Sequence, residues 1–173
     1  MAERDRVRLV RTRVGQLAEL RSWFEDSEAA RRWGGPGLRF PMTEASFRQD
    51  LQWGVIPSWS LVARGVLLGF GQYYLRNGRC HLARLVVAPG QRSRGLGRRL
   101  VEELLRTGMT ELGVSESSLF VMQDNEPAIR CYRSLGFEPR DLPPGEEAMP
   151  GVDFMVRPAG PPAERDPGPR AMG

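Results

Sequence analysis

The residues best suited to chemistry sit in one stretch, Val86-Val87-Ala88-Pro89-Gly90-Gln91-Arg92-Ser93-Arg94-Gly95-Leu96-Gly97-Arg98-Arg99-Leu100. An apolar strand ends at Pro89, a short loop follows, and an amphipathic helix opens inside the pair Gly95/Gly97. The first amides of a helix have no carbonyl partner, and the helix dipole adds partial positive charge there. Two residues without side chains let a diphosphate come close to those amides. Arg92, Arg94, Arg98 and Arg99 add charge whose planar fork fits phosphate oxygens. The stretch is an anion site. It lacks the Gly-Lys-Ser/Thr of a P-loop and the third glycine of the dinucleotide fingerprint.

About thirty residues on stands Asn125-Glu126-Pro127-Ala128-Ile129-Arg130-Cys131-Tyr132-Arg133-Ser134-Leu135-Gly136-Phe137. Pro127 suits a first helical turn and Gly136 a helix end. Ala128, Cys131, Tyr132 and Leu135 share one side of that helix. Asn125 is placed to cap it.

These two stretches need a scaffold. Arg6 to Arg11 alternates polar and apolar, as a half-buried strand does. Val14 to Asp26 reads as a helix through Val14, Leu17, Leu20 and Phe24. Gly34-Gly35-Pro36-Gly37 breaks the chain, and Thr43 opens another helix through Phe47 and Leu51. Ser58–Ala63 and Val66–Leu75 form a hairpin around Arg64-Gly65. Asn77-Gly78 turns the second strand into Cys80–Ala88. The long helix runs from about Ser93 to Leu112, with Leu96, Leu100 and Leu104 every fourth residue and Gly108 placed to weaken or bend its late part. Ser118–Gln123 is a strand, Pro127–Leu135 a helix, and strands restart at Phe137-Glu138 and at Val152–Arg157. A meander followed by strand-helix-strand-helix-strand predicts an α/β domain with a mixed sheet over residues 1–157. Residues 158–173 are rich in proline, glycine and charge and read as a disordered tail.

Together the two motifs, in this order and at this separation, resemble the GCN5-related N-acetyltransferase (GNAT) superfamily. The first is similar to its acetyl-CoA pyrophosphate motif. The second is similar to its Asn-x-x-Ala-x-x-x-Tyr-x-x-x-Gly-Phe motif. The resemblance is specific over residues 82–137. It implies the GNAT fold, a mostly antiparallel sheet of six to seven strands, splayed in the middle and flanked by about four helices. It implies acetyl-CoA as cosubstrate, transfer of its acetyl group to a primary amine of a small molecule or peptide, and a dimer as the family's habit. The pantetheine arm is expected along the backbone of Leu85, Val86 and Val87. The pyrophosphate is expected on the amides and side chains of Arg92, Ser93, Arg94, Gly95, Leu96, Gly97 and Arg98, with Asn125 on the arm. Tyr132 is the expected proton donor to the leaving sulfur, or alternatively only a packing surface for the cofactor. A phenol of pKa about 10 facing a thiol of about 8.5 makes that transfer uphill by about 2 kcal/mol, small enough for a positioned hydrogen bond to offset.

Several relatives carry a glutamate on the strand before the asparagine motif. Here that strand reads Leu119-Phe120-Val121-Met122, without a carboxylate. Asp124, Glu126 and His81 are nearby, but capping, solvation or a structural role suits each, so no base is assigned. A water chain or an acceptor that arrives neutral serves as well. The gap leaves a catalytically silent acyl-CoA-binding module as the second reading.

The N-terminal half is expected to shape the acceptor side. It holds all four tryptophans, Trp23, Trp33, Trp53 and Trp59, read mainly as core. Glu25, Asp26, Glu28 and Glu44 are either a lure for a polyamine or aminoglycoside or a solvated face. The chain has 173 residues and a net charge of +4, and every basic residue is arginine. The arginines are dispersed with no nucleic-acid-binding pattern, which argues against nucleic acid as partner. Two cysteines and one histidine argue against a metal site. The charged start Met1–Arg6 and the absence of long apolar runs predict a cytoplasmic protein with no membrane contact.

Overall fold

The computed structural model describes residues 6–160, so most of the expected tail lies outside the described residues. Strands β1 (Arg8–Arg11), β2 (Ser58–Ala63), β3 (Val66–Arg76), β4 (Arg79–Val87), β5 (Ser117–Met122), β6 (Glu138–Pro139) and β7 (Val152–Arg157) form one sheet. Their order is β1-β2-β3-β4-β5-β7-β6. Strands β2 to β4 are the expected antiparallel meander, and β1 joins it antiparallel along β2. Strand β5 joins β4 in parallel and β7 antiparallel, so the sheet is mixed.

Helices α1 (Leu17–Ser22), α2 (Ser27–Gly34) and α3 (Glu44–Asp50) carry a core on one face that includes Leu17, Leu20, Phe47 and Phe70. Helices α4 (Leu96–Leu112) and α5 (Glu126–Ser134) cover the other face, where Leu100, Leu104, Tyr73, Leu82, Leu119 and Met155 pack. None of the helices of the described residues is long and apolar enough to cross a membrane.

Five α-helices flank the sheet among the described residues, in keeping with the expected fold class and its about four helices. The bounds of several elements differ from those expected. The helix expected over Val14–Asp26 is a 3-10 turn followed by the six-residue α1. It ends at Ser22, and the extended Asp26 (φ −147°, ψ 175°) starts α2 by accepting the Ala29 amide on its side chain. Arg31 to Gly34 lie in that helix, and the chain break comes at Gly35. Helix α4 begins at Leu96 rather than near Ser93, because Ser93 (φ 62°) and Gly95 (φ 73°) take left-handed conformations. Strand β6 is only two residues long, and Pro139 has no amide to continue a ladder.

Glycine decides how closely α4 lies on the sheet. A Cβ on Gly108 would stand 2.7 Å from Cys80 Sγ and 2.9 Å from Tyr73 Cγ. Gly108 is thus a close-approach residue inside a continuous helix. Gly108→Ala gains helix propensity but overpacks this contact, which typically costs about 1–3 kcal/mol. The expected net result is a less stable protein, seen as a lower urea midpoint. An unchanged or raised midpoint would show that the contact yields without strain.

Candidate functional site

The candidate anion site is the loop between β4 and α4. Gly95, at φ 73°, turns the chain into the helix, and no side chain caps the first turn. That turn carries no acidic residue, so its amides and dipole stay uncompensated. Arg92 makes no side-chain hydrogen bond or ion pair among the described residues, while Arg94 donates to Gln91 Oε1 at 3.1 Å. Arg98 is tied down, to Glu102 at 3.0 Å and to Ser134 Oγ on α5 at 2.7 Å. Gly97 meets nothing that requires glycine: a Cβ there would lie 3.8 Å from Val87 Cγ2, an ordinary contact.

Strand β4 leads from this loop to a split in the sheet. It pairs with β5 only through Cys80, His81 and Leu82, opposite Ser117, Ser118 and Leu119. Beyond Leu82 the strands part. On its other edge β4 continues along β3, with Val86 opposite Phe70 and the Ala88 amide bonded to the Leu68 carbonyl at 2.8 Å. Alternation in an antiparallel ladder then turns the backbone groups of Leu85 and Val87 into the opening and commits those of Val86 to β3. Unpaired amides and carbonyls at a split are what an extended polar chain would complete.

Asn125 and Tyr132 belong to α5, the helix that follows β5 on the other side of the split. The Asn125 side-chain oxygen accepts the Ala128 amide at 3.4 Å, a long cap that leaves its NH2 group free. Tyr132 is half-buried against the α4–α5 core, edge-on to Phe137 at a centroid distance of 6.0 Å. Its hydroxyl has no hydrogen-bond partner among the described residues. Burial raises its pKa, so the phenol is protonated at neutral pH.

The model of the acetyltransferase (GNAT) family matches residues 18–137. The chain belongs to that family. Its relatives include an uncharacterised protein of Mycobacterium leprae, 44% identical over 74 residues, 42% of this chain and 20% of that one. Human alpha/beta-tubulin-N-acetyltransferase 9 is 37% identical over 54 residues, 31% of this chain and 26% of that one. The chain therefore spans well under half the length of both. Among solved structures, AAC(6')-Ib in complex with ribostamycin and coenzyme A superposes with a TM-score of 0.68 and 25% identity, covering 88% of this chain and 93% of that one. The ribosomal-protein-S18-alanine N-acetyltransferase from Escherichia coli superposes at 0.65 and 22% identity, covering 92% and 97%. The Vibrio cholerae spermidine N-acetyltransferase with CoA and spermine superposes at 0.66 and 17%, covering 87% and 94%.

In this GNAT chain the sheet face opposite α4 and α5 carries Tyr74, His81 and Phe120. His81 stands 5.2 Å from each of the other two rings. The carboxylates around this face are held by arginines. Asp124, just past β5, takes a two-pronged bond from Arg32 on α2 at 2.8 and 3.0 Å. Glu146 receives Arg76 at 2.5 Å and Asn77 at 2.7 Å. Asp50 takes Arg39 at 2.7 Å. Each arginine holds its carboxyl below the usual range, which makes the three poor proton acceptors. Glu25, Asp26, Glu28 and Glu44 are exposed; Asp26 caps α2, and Glu44 lies 4.0 Å from Arg48. Trp23, Trp33 and Trp53 pack on the α1–α3 core, and Trp59 stacks on Tyr73 in the other. The sequence reading missed Arg32 and Arg84. Neither belongs to a motif, and only chain folding brings them to this face.

His81 is only 2% exposed, and its Nδ1 lies 2.8 Å from Ser118 Oγ. Burial pushes its pKa from 6.5 down to about 4, so it is neutral at neutral pH. A depressed histidine pKa adds stability above the unfolded value that is lost as pH falls toward the folded one. The wild type should therefore lose about 2–3 kcal/mol through this group between pH 7 and pH 4. In urea unfolding, His81→Gln should show a shallower acid loss by that amount. Parallel pH profiles would mean that the imidazole protonates freely in the fold.

Proposed function

We propose that this chain is an acetyl-CoA-dependent N-acetyltransferase that acts on a primary amine of a small molecule or peptide. The observation that carries the reading is the continuity of β4. One strand runs from a split with unpaired backbone to an uncapped, arginine-flanked helix start. A cosubstrate with an amide-rich arm and a diphosphate fits both ends. Arg92, Ser93, Arg94, Gly95, Leu96, Gly97 and Arg98 would hold its diphosphate. Leu85 and Val87, with Val86 between them, would pair with the arm beside Asn125. The residues suit the group because Gly97 has room for a methyl within the protein yet carries none.

The amine attacks the thioester carbonyl directly, and Tyr132 gives the departing sulfur a proton. Burial raises the phenol pKa, but desolvation raises that of the thiol in the same pocket, so the gap between donor and acceptor changes less than either value. The three arginine-bound carboxylates favour an amine deprotonated by water or arriving neutral. They also keep the silent acyl-CoA-binding module in view as the second reading. Residues 1–157 would act as one transferase domain in the cytoplasm.

Two measurements test this. Gly97→Ala should weaken acetyl-CoA binding at least tenfold in calorimetry while the thermal midpoint holds or rises. Unchanged affinity would remove the helix start from the binding site. Tyr132→Phe should lower turnover at least tenfold with cofactor affinity nearly unchanged. Equal turnover would take the phenol out of the mechanism, and cofactor binding without transfer to any amine would favour the silent module.

A further inference from the structure

We propose that Arg84 selects the acceptor, so that the site takes an amine bearing a carboxylate rather than a polycationic amine. This rests on the reading of the β4–β5 split as the acetyl-CoA site.

Arg84 stands at the vertex of that split. The last β4–β5 pair is Leu82 with Leu119, and a bulge follows in which Arg84 and Leu85 both oppose Gly71 of β3. The arm would enter from the helix start after Val87 and descend past Leu85, so its sulfur end arrives beside Arg84. Tyr132 lies on the α4–α5 face, whereas the Arg84 side chain turns to the other. Its Nη1 donates to Gln72 Oε1 at 2.7 Å and its Nη2 to the Asp50 carbonyl at 3.2 Å. Gln72 is fully buried and fixed in turn, with Nε2 donating to the Leu51 carbonyl and to Ser58 Oγ, both at 2.9 Å. Its oxygen is thereby aimed at the arginine.

The guanidinium is positioned but not neutralised. It forms no ion pair among the described residues, its Nε is buried without a partner, and the Asp50 carboxylate is occupied by Arg39. Arg84 also holds a left-handed backbone (φ 51°), which a non-glycine residue adopts at a cost. The Asp50 charge, shared with Arg39, acts on Arg84 without direct contact, and a half-buried cation with no carboxylate against it gains when an anion arrives. Its remaining N–H groups suit the fork geometry of a carboxylate.

The carboxylates nearest on this face are already taken. Asp124 and Glu146 are already bound by Arg32 and Arg76, so a polyamine or aminoglycoside would meet an unpaired cation and no free carboxylate among these groups. The same cation favours the neutral form of the attacking amine, consistent with a face that lacks a strong base. A purely structural role, in which Arg84 only satisfies the end of α3, would leave acceptor choice untouched.

The test uses the whole chain, acetyl-CoA, the twenty standard amino acids, their C-terminal amides, spermidine and kanamycin. Among amines that react, the free acids should exceed their amides at least tenfold in kcat/KM. Arg84→Gln should abolish that ratio while acetyl-CoA affinity, read by calorimetry, stays within about twofold. Arg84→Lys should retain part of the ratio. Preference for spermidine, kanamycin or the amides overturns the proposal, as does a ratio unchanged in Arg84→Gln or no reaction with any free acid. If acetyl-CoA itself fails to bind the wild type, the cosubstrate reading has failed and this inference falls with it.

Discussion

Parallel strands β4 and β5 share only three residue pairs before they part, and everything proposed for this protein follows from that interruption. A strand interior normally spends its amides and carbonyls on both neighbours. Here β4 has a full antiparallel partner on one edge and an opening on the other. The bulge at Arg84 and Leu85 comes immediately after the last shared pair and bends the strand where the sheet divides. One local irregularity thus provides the unpaired ladder, points the strand at the α4 helix start, and brings a cation to the vertex.

Small residues make that geometry compatible with a packed core. Gly71, which faces the bulge, leaves room for Leu85 and Leu104; a Cβ there would come within 2.9 and 2.6 Å of their methyl groups. Gly108 does the same where α4 crosses Tyr73 and Cys80. The helix whose N-terminus forms the proposed anion site is therefore anchored along its length. Its first turn is also joined to α5 through Arg98 and Ser134, so the two motif-bearing helices are fixed relative to each other.

Charge follows a second rule on the opposite face. Arginine-bound carboxylates are pairs whose members lower each other's reactivity, since neither is a free base or a free anion site. Arg32 and Asp124 link α2 to the residue before Asn125, so that helix and the asparagine motif meet at that pair. Against this balanced background Arg84 stands out because its partners are an amide oxygen and a carbonyl. His81, neutral through burial and held by Ser118, contributes packing among rings rather than titration at neutral pH.

The sequence by itself determined the meander, the glycine-flanked helix start and the Asn125–Phe137 helix, because turn residues, helix caps and apolar periodicity act over a few neighbouring positions. Asn77-Gly78, the cap at Thr43 and the Val152–Arg157 strand were legible for that reason. The family likeness rested on the same local signals. Helix α2 escaped because its apolar face is short and a glycine-rich run ends it; the Asp26 cap matters only once Ala30 has a core to enter. The length of the β4–β5 contact, the bulge at Arg84, and the pairing of Arg32 with Asp124 were decided only by the tertiary structure. Each depends on where residues distant in the chain meet, and no periodicity within one segment records that distance.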